Sequence, residues 1–176
     1  AELTQAIVNK IVDLALVEGD GTNGFKSIDK EAHAKKIKKI TTKAPKTGTT
    51  PFADAIEEAV DFVRPTAGRR YLIVKAEDRR ALLDELRQAT ANANVRIKND
   101  DTEIASEVGV DEIIVYTGTK AVKPTVLVDQ KYHIDMQDLT KVDAFEWQTN
   151  SNMILVETLT SGHVETLNAG AVITVA

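Results

Sequence analysis

Cysteine is absent from the 176 residues, which excludes disulfide staples, thiolate zinc sites and cysteine nucleophiles. Aromatic residues are scarce, at 5%, so any core has to be assembled from Val, Ile, Leu and Ala. No apolar run approaches the roughly 20 residues that a membrane-spanning helix requires, and no charged-then-apolar leader opens the chain. Surplus positive charge is missing too. The 22 Lys and Arg face 27 Asp and Glu, for a net charge of −5. That balance argues against a general attraction to nucleic acid or anionic membrane and leaves local basic patches available for it.

What is present suits a globular protein: 43% apolar and 28% charged residues, enough for one substantial domain or two small lobes. Leu3, Ile7, Ile11 and Leu14 recur at helical spacing, and Ala6, Val8, Val12 and Ala15 widen the stripe. The spacing predicts an amphipathic helix over 2–18 that needs a partner surface. Ala1 is not a start methionine and no cap precedes this helix, so a gene product extending upstream is expected. Gly19 to Gly24 stops the helix. A basic stretch, Lys30 to Lys46, follows; Ile37 and Ile40 suggest a short surface helix in its first half and loop in its second. Phe52, Ala55, Ile56, Ala59, Val60 and Val63 predict a helix capped by Thr50, begun by Pro51 and ended by Pro65. Tyr71 to Val74 reads as a buried strand, and Glu77 and Asp78 open a helix presenting Leu82, Leu83, Leu86 and Ala89. Strands are expected at 113–116, 125–128 and 171–175, with a hairpin turning at Ser161-Gly162. Helices gather early and strands late, so the fold class is α+β.

Chemistry-bearing residues form no convincing catalytic constellation. The glycine loop at 19–24 lacks the Gly-Lys-Ser/Thr ending of a phosphate loop and follows a helix, not a strand; Asp20 has no regularly spaced carboxylate partners for calcium. The histidines are His33, His133 and His163, without a compact ligand pattern. His133, Asp135 and Asp138 form the one acidic cluster around a histidine, and the alternation in 132–136 reads more simply as a half-exposed strand. Ser27, Ser106, Ser151 and Ser161 sit in no nucleophile elbow. No catalytic, cofactor-binding or metal residue is assigned. Lys35, Lys36, Lys38 and Lys39 read as a solvated face, with contact to nucleic acid or an acidic partner protein as the functional alternative.

In order along the chain, four stretches carry a resemblance. They are Ala15-Leu16-Val17-Glu18-Gly19-Asp20-Gly21-Thr22-Asn23-Gly24; Tyr71 to Val74 with Glu77-Asp78-Arg79-Arg80-Ala81-Leu82-Leu83; Thr125 to Asp129 with Tyr132-His133-Ile134; and Phe145 to Asn150 leading to the hairpin at Gly162 and to Ala171-Val172-Ile173. This order resembles the major capsid proteins of tailed bacteriophages, with their Hong Kong 97-like fold. The resemblance implies a shell subunit and not an enzyme, built as a peripheral lobe (1–48 and 129–168) and an axial lobe (49–128 and 169–176).

It further implies self-association into pentamers and hexamers, a place in the virion, and possible scaffolding, protease and portal partners, with packaged DNA touched non-specifically at most. The family's N-terminal arm and extended loop have no counterpart here, which implies a chain truncated at its N-terminus. The Lys–Asn cross-link of some members is not carried over, because its lysine belongs to that loop, although Asn152 lies near the asparagine's region. The alternatives are an encapsulin-type nanocompartment shell and a small metal- or phosphate-binding enzyme using Asp20 or the His133 cluster.

Overall fold

A computed structural model describes residues 2–22, 24–137, 140–146, 151–157 and 160–176, with 140–146 and 151–157 described by backbone alone. Its frame is a five-stranded mixed sheet of β1 (Ile37–Thr41), β9 (Gly170–Thr174), β4 (Thr125–Val128), β2 (Arg70–Lys75) and β3 (Glu112–Tyr116), in that order. β1 runs parallel to β9 and β2 parallel to β3, while β4 is antiparallel to both of its neighbours. The β2-to-β3 crossover carries helices α3 (Ala76–Ala89) and α4 (Asp101–Val108), as a parallel pair requires.

Alternation along each strand divides the sheet's side chains between two cores. Leu72, Val74, Val126, Val128, Ala171 and Ile173 face helices α2 (Pro51–Val63), α3 and α4, packing on Ile56, Ala59, Val63, Leu82, Leu83, Ile104 and Val108. Ile37, Val172 and, half-buried, Ile73 and Leu127 face the other way, toward Leu16, Ile28 and Val164. That second face is covered by the end of α1 (Glu2–Asp13) and by a two-stranded sheet of β5 (Tyr132–Met136) and β8 (Thr160–Val164). A separate hairpin pairs β6 (Thr140–Glu146) with β7 (Ser151–Glu157), from Thr140↔Glu157 to Glu146↔Ser151.

Five local expectations need correction. The helix expected over 2–18 is α-helical only to Asp13; Leu14–Glu18 is a π-turn, which Gly19 N–H closes by donating to Leu14 O at 3.0 Å. The short basic helix is strand β1: three residues apart, Ile37 and Ile40 would share a helix face, but in a strand they point to opposite sides. Each side here holds a core to receive one of them. Thr50 makes no side-chain cap. The α2 N–H groups of Phe52 and Ala53 instead donate to the Glu85 carboxylate of α3, at 3.0 and 2.8 Å. Helix α4 was not anticipated, although Asp100 accepts from Thr102 N–H at its start and left-handed Gly109 (φ 78°) ends it.

Finally, Ser161-Gly162 is no turn. Both lie inside β8, where Gly162 pairs with Ile134. A Cβ on Gly162 would stand 2.7 Å from Phe25 Cε1 and 2.8 Å from Tyr132 Cε1. Glycine is needed there for close approach of neighbours, not for a reversal of the chain. The hairpin is β6–β7, and its connecting residues, 147–150, lie outside the described residues.

Candidate functional site

The second face of the sheet is only partly covered. Beside α1 it opens into a groove of about 630 Å³, lined by Ile11, Val12, Leu16, Ile73, Leu127 and Tyr132 among others. Apolar side chains continue outward from it: Ile114 and Ile134 at the groove are 43% and 45% exposed, and Leu3, Val8 and Val12 on α1 and Met136 on β5 are also exposed. An apolar surface of this kind marks an interaction site more often than chance exposure.

Polar contacts pin α1 along this groove. Tyr116 Oη donates to the Asp13 carboxylate and accepts from Lys120 N–H at 3.3 Å. Glu18 pairs with Lys10 and, at 2.6 Å, with Lys120. Those two hydrogen-bonded ammonium groups, Lys10 first, hold the Glu18 carboxyl down at about 2. Burial, followed by the Asp13 contact, pushes the Tyr116 phenol up. Tyr132 is pushed up to about 12 by burial, and its hydroxyl donates to Lys26 O at 3.0 Å.

The loop at 19–24 satisfies itself. Asp20 Oδ1 accepts from Thr22 N–H at 2.9 Å and Thr22 Oγ1 at 2.6 Å, and the backbone forms an antiparallel β-bridge between Asp20 and Lys26; Asn23 lies outside the described residues. Glu31, just beyond, is buried. Burial raises its pKa, but His33 N–H and Lys26 outweigh that and leave it below the usual range; the two contacts measure 2.9 and 3.1 Å.

Three of the four singled-out lysines have intramolecular work. Lys36 donates to Val164 O at 2.9 Å, and Lys39 to Ile28 O and Asp29 O at 3.0 and 2.5 Å. Lys38 pairs with Glu58 at 2.7 Å and lies over the Phe62 ring. Desolvation lowers the Lys39 pKa. Lys35 is exposed. A single outward-facing patch of all four is therefore not what these residues build.

Ser27 is buried, donating to Val17 O at 3.2 Å; Ser106 is exposed on α4 and Ser161 is part of β8. The side chains of Ser151, Asn152 and Asp138 lie outside the described residues. His33 is exposed. The sequence offered His133 with Asp135 and Asp138, but the fold puts His133 opposite His163, with Glu165 beside both. Among the described residues, no group of three or more His, Asp and Glu could hold a metal ion, and no helix is long and apolar enough to cross a membrane.

The mixed sheet with helices on one face, the pinned first helix and the long hairpin define the Hong Kong 97-like fold of phage capsid subunits. Among solved structures, the chain superposes on a subunit of the "Capsid of empty GTA particle computed with C5 symmetry", with a TM-score of 0.57, 14% identity, and coverage of 99% of this chain and 65% of that one. It superposes equally on a chain of the "Satellite phage P4 procapsid including size determination (Sid) protein", with a TM-score of 0.56, 12% identity and coverage of 99% and 62%.

In sequence, the chain is 93% identical over 175 residues to the capsid proteins of Lactococcus phage p2 and Lactococcus phage SK1. The match takes in 99% of this chain and 44% of each relative, so the chain spans less than half the length of these curated relatives. No protein-family model matches it.

Proposed function

We propose that this chain is the core of a major capsid protein: a structural, non-enzymatic subunit that self-assembles into the icosahedral head of a tailed phage and resides in the virion. The observation that carries the reading is the 93% identity, across nearly every residue, to part of two phage capsid proteins. Phage relatives favour a DNA-filled head over a nanocompartment shell. The partner is then first of all another copy of the chain, in pentamers and hexamers. Closed symmetry turns modest repeated contacts into a stable assembly. Scaffolding protein, protease and portal belong to the same proposal.

The two lobes are proposed as 1–48 with 129–168, and 49–128 with 169–176. Strand β1 would then be the element of the first lobe that is hydrogen-bonded into the sheet of the second. The apolar groove and the exposed face of α1 are the surface best suited to a neighbouring subunit.

The test is negative-stain electron microscopy of this sequence extended, by fusion, with the remaining residues of the p2 relative. Uniform hollow shells are expected. Dispersed particles with no shells, even when phage scaffolding and portal proteins are co-expressed, would overturn the assembly role while leaving the fold intact.

A further inference from the structure

The five-stranded sheet carries opposite charge at its two edges, β1 and β3. The stretch containing β1, residues 35–46, holds Lys35, Lys36, Lys38, Lys39, Lys43 and Lys46 and no Asp or Glu. The stretch from α4 to the first residue of β3, 100–112, holds Asp100, Asp101, Glu103, Glu107, Asp111 and Glu112 and no Lys or Arg. Part of each set serves the fold. Lys36, Lys38 and Lys39 reach Val164 O, Glu58 and the carbonyls of Ile28 and Asp29. Asp100 caps α4, Asp101 pairs with Arg79 and Glu112 with Arg69, and Asp111 accepts from Arg70 N–H at 2.7 Å. The remainder is unspent. Lys35, Lys43, Lys46 and Glu107 are exposed and Glu103 is half-buried, and none of them is ion-paired among the described residues.

Resting on the reading of the chain as a shell subunit, we propose that the β1 edge of one copy docks head to tail against the β3–α4 edge of a second copy, as the contact between neighbours in a ring. Either edge meeting its own kind would oppose like charges, which is costly at an interface, so a two-fold pairing through these edges is disfavoured. Two different patches related by one rotation close a ring. The two edges suit that geometry, because β9, β4 and β2 separate them and one subunit can use both at once. Past Glu112 the acidic edge turns apolar. Ile114, 43% exposed, also lines the groove beside α1, so the charged contact runs into the apolar surface already offered to a neighbour. The charges then fix which edge meets which, and the apolar surface supplies the burial.

Carbodiimide coupling reads this contact directly, since it joins an amine to a carboxylate only where the two touch. The chain extended with the remaining residues of the p2 relative is made in isotope-labelled and unlabelled forms, mixed before assembly, coupled and digested. Mixed-isotope peptides joining Lys35, Lys43 or Lys46 to Glu103 or Glu107 are expected, and fewer of them when mixing is done at high salt. Shells that form without such peptides overturn the contact and leave the shell reading standing. If no shells form, the shell reading falls, and the same coupling on the concentrated 176-residue chain decides the contact: mixed peptides support it, and their absence overturns it. Charge reversal supplies the second readout, on variants whose melts match the parent. Lys35→Glu, Lys43→Glu and Lys46→Glu together should cut the yield of mixed peptides from the remaining partners and of assembled rings at least about tenfold, and Glu103→Lys with Glu107→Lys should do the same. Combining both sets should restore ring assembly, because each reversed edge then meets its complement. Assembly indifferent to either reversal, or not restored by the combination, overturns the proposal.

Discussion

Glu85 should matter more to the helix it caps than to the helix that carries it. At the start of α2, Pro51 brings no N–H, and Asp54 N–H donates to Thr50 O at 2.8 Å. Two orphan donors remain, those of Phe52 and Ala53, and one oxygen of Glu85 accepts from each. Both residues are buried, so water cannot fully replace the carboxylate, and a negative charge at this end also opposes the helix dipole. Leaving buried donors unsatisfied costs roughly 1–3 kcal/mol. Taking about 2 kcal/mol for Glu85→Ala, and about 2–4 °C per kcal/mol for a domain of this size, the melting temperature should fall by about 4–8 °C. Glu85→Gln, which keeps one acceptor, should lose about half as much. Exposed Glu57→Ala on α2 itself should stay within about 0.5 kcal/mol of the parent. Urea unfolding followed by circular dichroism, with calorimetric melts, reads all three variants. If Glu85→Ala costs no more than Glu57→Ala, the cross-helix cap contributes nothing and the reasoning fails.

Gly162→Ala should cost about 1–3 kcal/mol, because the added methyl meets the rings of Phe25 and Tyr132 inside contact distance; an unchanged melting temperature would show that the rings retreat freely. Glu18 sets an acid limit. Its folded carboxyl, held at about 2, lies below the ordinary 4.5, so the stability it contributes is complete above pH 4.5 and is lost as the pH falls toward 2. Glu18→Gln should therefore melt below the parent at neutral pH, with the gap closing as both are acidified through that window. A gap independent of pH would mean that the ion pairs with Lys10 and Lys120 are not its source.

Elements whose local pattern and tertiary role agree were legible in the sequence. Phe52 to Val63 keep one helical face and bury it, and Leu82, Leu83 and Leu86 do the same. The reading failed where a short apolar pattern suited two periods. Ile37 and Ile40 fit a helix face or the two sides of a strand, and only the β9 pairing decides between them. Glycine misled in the same way at Gly162, where reading a turn cut β8 in half. That cut hid the facing of His133 and His163, since His133 was then searched along its own strand toward Asp135 and Asp138. Its partner lies across the strand pair, at a register no local spacing encodes. The α4 signals, Asp100 before the helix and Gly109 after it, were in the sequence but span only eight residues, too few for helical periodicity to stand out.

Strand β9 shows why this fold cannot be assembled from local instructions alone. It lies between β1 and β4 and pairs with both, so residues 170–174 must return to residues 37–41 and 125–127. Its side chains divide between the two cores, Ala171 and Ile173 toward the helices and Val172 toward the groove side. Gly170 is needed at the crossing, where a Cβ would stand 2.6 Å from Val126 O. Until β9 docks, β1 lacks its sheet partner, and neither core is closed at that edge. Contacts of such long sequence separation are slow to form, because loop closure must precede their reward. The groove side, whose core is the smaller of the two, then depends on a strand whose other side chains face the helices. A disturbance in the groove, from a neighbouring subunit or a substitution, therefore has a mechanical route through the groove-lining Leu16 and Ile28 to Val172, which packs in the same core, and along β9 to Ala171 and Ile173 and the helical layer behind the sheet.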